Sequence, residues 1–289
     1  MCVMRLSVSS VLGWLRSKVV AATPSEILLK EERRLLDLVR RLPLGVRAKV
    51  QGGISRALIG EPFRIDTPRG PLSFAVLGET SALRAKGLLT KQQATIAWID
   101  LFRPHSVFWD IGANVGSYTL YAALRPDITV VAFEPAAVNF FLLAANCELN
   151  AFGERVDCLQ IGVGSGKSLG RLDVSQFEPG ASFSFRGKGK QPLRSRQAAL
   201  ILSMDQLVEE YGLPCPNYIK IDVPALTEAI IDGGTRTLQR SQVRELHIET
   251  SEHSKSGRKL VERLAEQGFG ITGRHVRGGT TDLTFAKQV

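Results

Sequence analysis

Seven consecutive residues, Asp110-Ile111-Gly112-Ala113-Asn114-Val115-Gly116, set a carboxylate, two glycines and an amide where an apolar run gives way to a helical pattern. Glycines at 112 and 116 permit a tight turn and let the backbone approach a ligand more closely than side chains would allow. Twenty-two residues beyond Gly112, Glu134 closes the next apolar run, where an acid can accept both hydroxyl hydrogens of a ribose. Together the two features point to a nucleotide-like ligand far more strongly than either does alone. The turn reads G-x-N-x-G, not the G-x-G-x-x-G that holds a dinucleotide pyrophosphate on backbone N–H groups. A carboxylate at 110 repels a phosphate and attracts an ammonium. S-adenosylmethionine presents an ammonium, a sulfonium and a ribose with no phosphate, so these residue types favour it over NAD.

Such residues act only if strands end where they stand. Ser106–Ile111 and Ile128–Phe133 are apolar runs of strand length, each followed by a helical pattern, at 116–124 and 136–149. Further strands are predicted at Val156–Ile161, Tyr218–Val223 and Val243–Glu249, and helices at Leu226–Ile231 and Gly257–Gln267. A closing strand pair, Gly270–His275 and Asp282–Ala286, turns at Arg277-Gly278-Gly279. Residues 162–200 are rich in Gly and Ser and read as a hairpin insertion with a mobile basic loop; Ser203-Met204-Asp205 opens a short helix ending near Gly212. The alternation predicts an α/β fold, a Rossmann-like doubly wound and mostly parallel sheet with a final antiparallel pair. In such a sheet, ligands bind beyond the carboxyl ends of the strands, where strand order switches. Upstream, apolar spacing predicts a helix over Glu26–Leu42, and Phe63, Ile65, Leu72 and Phe74 alternate around a Pro-Arg-Gly turn as a hairpin. Thr90 and Gln93 form a capping-box pattern for a helix running to about Phe102. The expected division is an N-terminal helical arm with a hairpin cap over 1–89, then the Rossmann-like domain over 90–289.

Composition narrows the setting. With 44% hydrophobic and 22% charged residues among 289, wholesale disorder is excluded. Arg16 and Lys18 interrupt the apolar stretch Val8–Ala22, which suits an amphipathic surface helix better than a spanning one. Four cysteines (Cys2, Cys147, Cys158, Cys215) show no C-x-x-C pair, so reduced thiols, a cytoplasmic protein and no metal site are expected. The net charge is +9, and residues 1–60 hold eleven Lys/Arg against four Asp/Glu. A basic arm (Arg5, Arg16, Lys18) and a second basic stretch (Arg186, Lys188, Lys190, Arg194, Arg196) suit a solvated face, an anionic membrane surface or an anionic substrate. No aromatic RNA-binding motif or zinc-finger spacing supports nucleic acid.

Asp110-Ile-Gly-Ala-Asn-Val-Gly116, Phe133-Glu134-Pro135, Asn146–Asn150, Ser203-Met204-Asp205-Gln206-Leu207 and Tyr218-Ile-Lys-Ile-Asp-Val223 resemble, in order and spacing, the FkbM family of S-adenosylmethionine-dependent methyltransferases. The similarity covers roughly residues 90–286. The resemblance implies a class I methyltransferase fold and methyl transfer, usually to a hydroxyl of a carbohydrate, glycolipid or secondary metabolite. It also implies that Gly112 and Asn114 line the methionine part, that Glu134 takes the ribose, that Gly162 and Val163 lie near the adenine, and that Asp222 faces the methyl.

An alcohol acceptor needs its proton removed, and Asp222, ending the fourth strand, is the first candidate. His247, Glu249 and His253 come second; His247 and Glu249 share a strand face and serve equally as hydrogen-bonded structural groups. The run Ile221-Asp222-Val223-Pro224-Ala225-Leu226-Thr227 departs from the family pattern, which has an acid and a glycine after the valine and a second acid at 227. That departure motivates one alternative, a cofactor-binding protein with impaired catalysis; the basic arm motivates a weaker one, an RNA methyltransferase.

Overall fold

The computed structural model describes residues 34, 37, 39–50, 52, 62–90, 93–174, 178–182, 195–250, 254–277 and 280–288. Internal contacts gather the chain into two units, Met1–Glu61 and Pro62–Val289. In the first, residues 44–50 are helical. The Val8–Ala22 segment, most of Glu26–Leu42, His253, and the cations Arg5, Arg16, Lys18, Arg186, Lys188, Lys190 and Arg194 lie outside the described residues. No helix among the described residues is long and apolar enough to cross a membrane.

The second unit opens with the hairpin β1 (Phe63–Thr67) and β2 (Gly70–Phe74), in which Phe63 faces Phe74 and Ile65 faces Leu72. Helices α1 (Glu79–Gly87) and α2 (Gln93–Asp100) follow. Strand–helix alternation then runs through β3 (Ser106–Ile111), α3 (Ser117–Ala123), β4 (Ile128–Phe133), α4 (Ala137–Leu149) and β5 (Val156–Leu159). Three strands, β6 (Gly162–Val163), β7 (Ser168–Val174) and β8 (Ser195–Leu202), form a separate small sheet in the order β6-β8-β7. The chain continues as α5 (Met204–Glu209), β9 (Tyr218–Ile221), α6 (Thr227–Asp232), α7 (Thr235–Gln239), β10 (Glu245–Thr250) and α8 (Lys255–Glu266). It closes with β11 (Phe269–Arg277) and β12 (Thr280–Lys287).

Seven strands make the main sheet, ordered β11-β12-β10-β9-β3-β4-β5. Pairings from β5 to β10 are parallel, and β12 is antiparallel to both β10 and β11. This is the doubly wound, mostly parallel sheet with a final antiparallel pair that the strand–helix alternation predicts. Strand order switches between β3 and β9, so the Gly112 turn and the segment after Ile221 emerge side by side. The N–H of Asp222 carries the pairing one step further, donating to the Ile111 carbonyl at 3.1 Å.

Side-chain alternation sorts the core into two layers. Phe108 and Tyr218 face Trp98 and Phe102, with the Phe102 and Tyr218 rings stacked at 4.0 Å. Trp109, Ile219, Ile221 and Ile248 face the other way, against Met204, Leu207, Ile230, Leu260 and Leu264. Each such fully buried side chain contributes roughly 1.5–3 kcal/mol. Strand register, parallel from β3 to β10 and antiparallel from β10 to β12, also sets Asp110, Lys220, His247 and Thr284 in one row across four adjacent strands. The Asn146–Asn150 segment ties the hairpin down. Asn146 Oδ1 accepts from the Ala75 N–H at 2.7 Å, Asn150 Oδ1 from the Ser73 N–H at 2.9 Å, and Asn146 Nδ2 donates to the Val115 carbonyl at 2.8 Å.

Two helices, α1 and α7, have no counterpart in the expectations. Helix α1 buries only Ser81, Ala85 and Gly87, and α7 is five residues long, so neither leaves an apolar period to read.

Candidate active site

Beyond the switch point lies a cleft of about 310 Å³ lined by Gly112, Asn114, Glu134, Gly162, Asp222 and Glu249, among others. The Gly112 φ of +82° and the closeness of the neighbouring segment explain the glycine: a Cβ there would come within 2.9 Å of the Asp222 carbonyl oxygen and the Val223 side chain. Asn114 takes a left-handed φ of 54°, and its Oδ1 accepts from the Val115 N–H at 2.9 Å. Gly116 stands apart. At φ +89° it precedes α3, and a Cβ would meet Leu143 Cδ1 at 2.6 Å; it serves helix packing and does not line the cleft.

Every N–H of the turn is committed within the protein. Gly112 and Ala113 donate to the Phe133 carbonyl at 3.0 Å, Gly116 donates to the Ala113 carbonyl at 2.9 Å, and Asn114 donates to Glu134 Oε2 at 2.9 Å. No row of turn N–H groups is left to hold a phosphate. Glu134 Oε1 accepts from the Ala136 N–H at 2.8 Å. Burial pushes the Glu134 carboxyl up to about 7, against the two backbone N–H groups that favour its charge.

Asp110 is fully buried and stands behind the cleft rather than in its wall. It lies on the sheet face covered by α3, where Thr119 Oγ1 donates to Asp110 Oδ2 at 2.7 Å. Beside it in register, Lys220 Nζ is 3.3 Å from Asp110 Oδ1 and 3.4 Å from Asp222 Oδ2. Burial opposes the Lys220 charge, but the carboxylates of Asp110 and Asp222 outweigh it and hold the ammonium above its usual value. Asp222 lies two residues past Lys220 and is partly exposed at the mouth. His247 is buried, its Nε2 3.0 Å from Thr95 Oγ1 and its Nδ1 3.0 Å from Thr284 Oγ1, with its ring stacked on Trp98. Burial, with Lys220 nearby, pushes its pKa down to about 3, so it is a neutral structural link. Glu249 reaches the cleft wall.

Pro224 and Ala225 are exposed and line neither the cleft nor its neighbour. Pro224 follows Val223 in a turn closed by the Leu226 N–H on the Val223 carbonyl at 2.9 Å, a position that suits proline. Thr227 Oγ1 also donates to that carbonyl, at 3.2 Å.

The sequence reading missed Arg84 and Asn139, both in the cleft wall. They clamp the segment 178–182. Asn139 Oδ1 accepts from the Gly180 N–H at 2.8 Å, and the Asn139 and Asn114 amides donate to the Ala181 carbonyl at 3.0 and 3.2 Å. Arg84 Nε donates to the Gly180 carbonyl and Nη2 to Ser182 Oγ, each at 3.0 Å. No sequence signal marks Arg84, because α1 has no apolar stripe.

A second cavity, of about 350 Å³, opens on the other side of the turn, between α1 and the start of α3. It shares Arg84, Gly112, Asn114 and Asp222 with the cleft and adds Thr80, Leu83, Ser117, Tyr118 and Lys220.

Comparison with known proteins points to one family. The model of the methyltransferase FkbM domain matches residues 110–271. A hexuronic acid methyltransferase of Haloferax volcanii is 27% identical over 166 residues, covering 57% of this chain and 65% of the relative. A 31-O-demethyl-FK506 methyltransferase of Streptomyces tacrolimicus is 48% identical over 56 residues, 19% of this chain and 22% of the relative. The chain thus spans less than two thirds of the length of each of these two relatives. Among solved structures, a precorrin-6y C5,15-methyltransferase of Geobacter metallireducens aligns with a TM-score of 0.44 at 18% identity, covering 71% of this chain and 93% of that one.

Proposed function

The chain belongs to the FkbM methyltransferase family, and from that premise we propose that it is an S-adenosylmethionine-dependent O-methyltransferase acting on a hydroxyl of a sugar or other metabolite. The observation that carries the proposal is the pairing, in one cleft, of a phosphate-free turn with two strand-end carboxylates. The N–H groups of residues 112–114 and 116 all have protein acceptors, so the turn suits a ligand without phosphate. Glu134, Asp222 and Glu249 outnumber Arg84 among the charged residues of the cleft wall, which suits a ligand of net positive charge. Glu134 would take the ribose hydroxyls, Gly112 and Asn114 the methionine part, and Ile161, Gly162, Val163 and Leu172 the adenine. When bound, S-adenosylmethionine supplies an electrophilic methyl group on a sulfonium.

The protein's own contribution is positioning and proton removal. Holding an acceptor oxygen in line accounts for much of the acceleration in such displacements. Asp222 is the base that takes the hydroxyl proton, and Lys220, wedged between Asp110 and Asp222, steadies its charge. Pro224 and Ala225 lie outside both cavities, so their departure from the family pattern leaves this machinery in place. Cys147, Cys158 and Cys215 are free thiols, in keeping with a cytoplasmic setting as part of the same proposal.

The test is calorimetric titration with S-adenosylmethionine and, separately, NAD. Micromolar binding of the former alone is expected, lost in Glu134→Ala. Binding of NAD, or of neither, overturns the assignment.

A further inference from the structure

The cleft and the cavity meet at the Gly112–Asn114 turn and share Asp222, yet the charged residues peculiar to each differ in sign. Those found only in the cleft wall are the carboxylates Glu134 and Glu249; the one found only in the cavity wall is the cation Lys220. Lys220 is already compensated by Asp110 and Asp222. Arg84 is not. Its Nε and Nη2 donate to neutral oxygens, the Gly180 carbonyl and Ser182 Oγ, and among the described residues no carboxylate lies within ion-pair distance of it. These two bonds hold the guanidinium in place at the rim shared by both cavities and leave the rest of its N–H fork available. A guanidinium held in place with no carboxylate in direct contact is suited to bidentate recognition of a planar carboxylate.

We infer that the cavity between α1 and the start of α3 is the acceptor pocket, and that Arg84 selects an acceptor carrying a carboxylate close to the hydroxyl that is methylated. The inference rests on the methyltransferase assignment and adds the class of acceptor: a carboxylated sugar or similar acidic polyol. Tyr118 forms part of the cavity wall, with Lys220 Nζ 4.9 Å from its ring centroid, and offers an apolar surface for a sugar ring beside the charged rim. Asp222 opens to both spaces, so a hydroxyl seated in the cavity reaches the same base that faces the cleft.

The test is titration of the full chain, saturated with S-adenosylhomocysteine, against matched pairs of a uronoside and the hexoside that differs only in having CH2OH for the carboxylate. Arg84→Gln and Arg84→Lys are measured alongside. The expected result is a preference of roughly 10- to 100-fold for the acid in at least one pair. Arg84→Gln should abolish that preference and Arg84→Lys should keep part of it, each variant being saturated with S-adenosylhomocysteine at its own measured affinity. Arg84 is exposed, so the variants are expected to fold, with melting temperatures as the check. Equal or tighter binding of the neutral partner in every pair overturns the inference. So does a loss of S-adenosylhomocysteine affinity above about tenfold in Arg84→Gln, which would make Arg84 a cofactor group. Failure of the unaltered protein to bind S-adenosylhomocysteine would instead remove the underlying assignment, and that is read separately before any acceptor is added.

Discussion

The two sides of the Gly112–Asn114 turn are built from different material. On the cleft side the walls are strand ends and the first residues beyond them: Glu134 after β4, Gly162 in β6, Asp222 after β9 and Glu249 in β10. β4, β9 and β10 are each paired on both flanks, so Glu134, Asp222 and Glu249 have little freedom to shift. On the cavity side, Thr80, Leu83, Arg84 and Gly87 come from α1, a short helix with three buried residues. It is tied across to 178–182 by Arg84 and by the Thr80 N–H on Glu178 Oε1 at 3.3 Å. A wall fixed by a sheet suits a cofactor that is the same in every turnover. A wall made from one lightly anchored helix can be recut for a different acceptor without disturbing the sheet.

Asp222 joins the two sides, and its removal tests whether they serve one reaction. Asp222→Ala is expected to lower kcat by roughly 100- to 10,000-fold, with S-adenosylhomocysteine affinity changed only a few-fold by calorimetry. Turnover at the level of the unaltered protein would show that the cavity and the cleft do not share a base.

The next largest effect separates the sides by pH. Binding to the ionised Glu134, with its carboxyl at about 7, should weaken cofactor affinity roughly 20-fold between pH 7.5 and pH 5.5, while binding at the Arg84 side stays level. Ligand-free stability should not follow the same curve. Folding raises the Glu134 pKa, so its stabilising contribution is present below the ordinary value of 4.5 and is lost as pH rises through about 7. His247 works in the opposite sense. Its pKa is lowered to about 3, and its contribution is lost as pH falls from 6.5. Between about 4.5 and 6.5 the two slopes oppose each other. Melting temperatures that tracked cofactor affinity across that window would count against Glu134 as the titrating group.

The smallest effect is expected outside both cavities. Pro224→Glu with Ala225→Gly restores the family pattern at two exposed positions, and kcat/KM should stay within about threefold of the unaltered chain. A gain of tenfold or more would bring this turn into the active site.

Some of this was legible along the chain. The apolar runs ending at Ile111, Phe133 and Ile221, with the glycine turn and Glu134, state a parallel sheet and a ribose-type site in local order. The helix start at Ser203-Met204-Asp205 is equally local, and the structure closes it with the Gln206 N–H on Ser203 Oγ at 3.1 Å. Other roles depended on partners distant in sequence. Asp110 looks, at its strand end, like a group facing the ligand. Strand register instead sets it beside Lys220, and side-chain alternation turns it under α3 to Thr119. Gly116 looks like a ligand glycine, yet it is demanded by Leu143 of α4. Arg84 and Asn139 gave no signal at all, because what defines them is the strap at 178–182.

The amino-acid sequence by itself determined where strands stop, which residues turn, and that an acid follows the second strand of the core, since hydrophobic period, glycine freedom and chain adjacency are all local properties. Only the tertiary structure decided which carboxylates face the cleft, which are neutralised behind it, and which cation stands at the rim without a direct ion pair. Those outcomes are set by sheet register and by contacts between segments nearly a hundred or more residues apart, such as Arg84 with Ser182 and Asp110 with Lys220, and no local pattern encodes them.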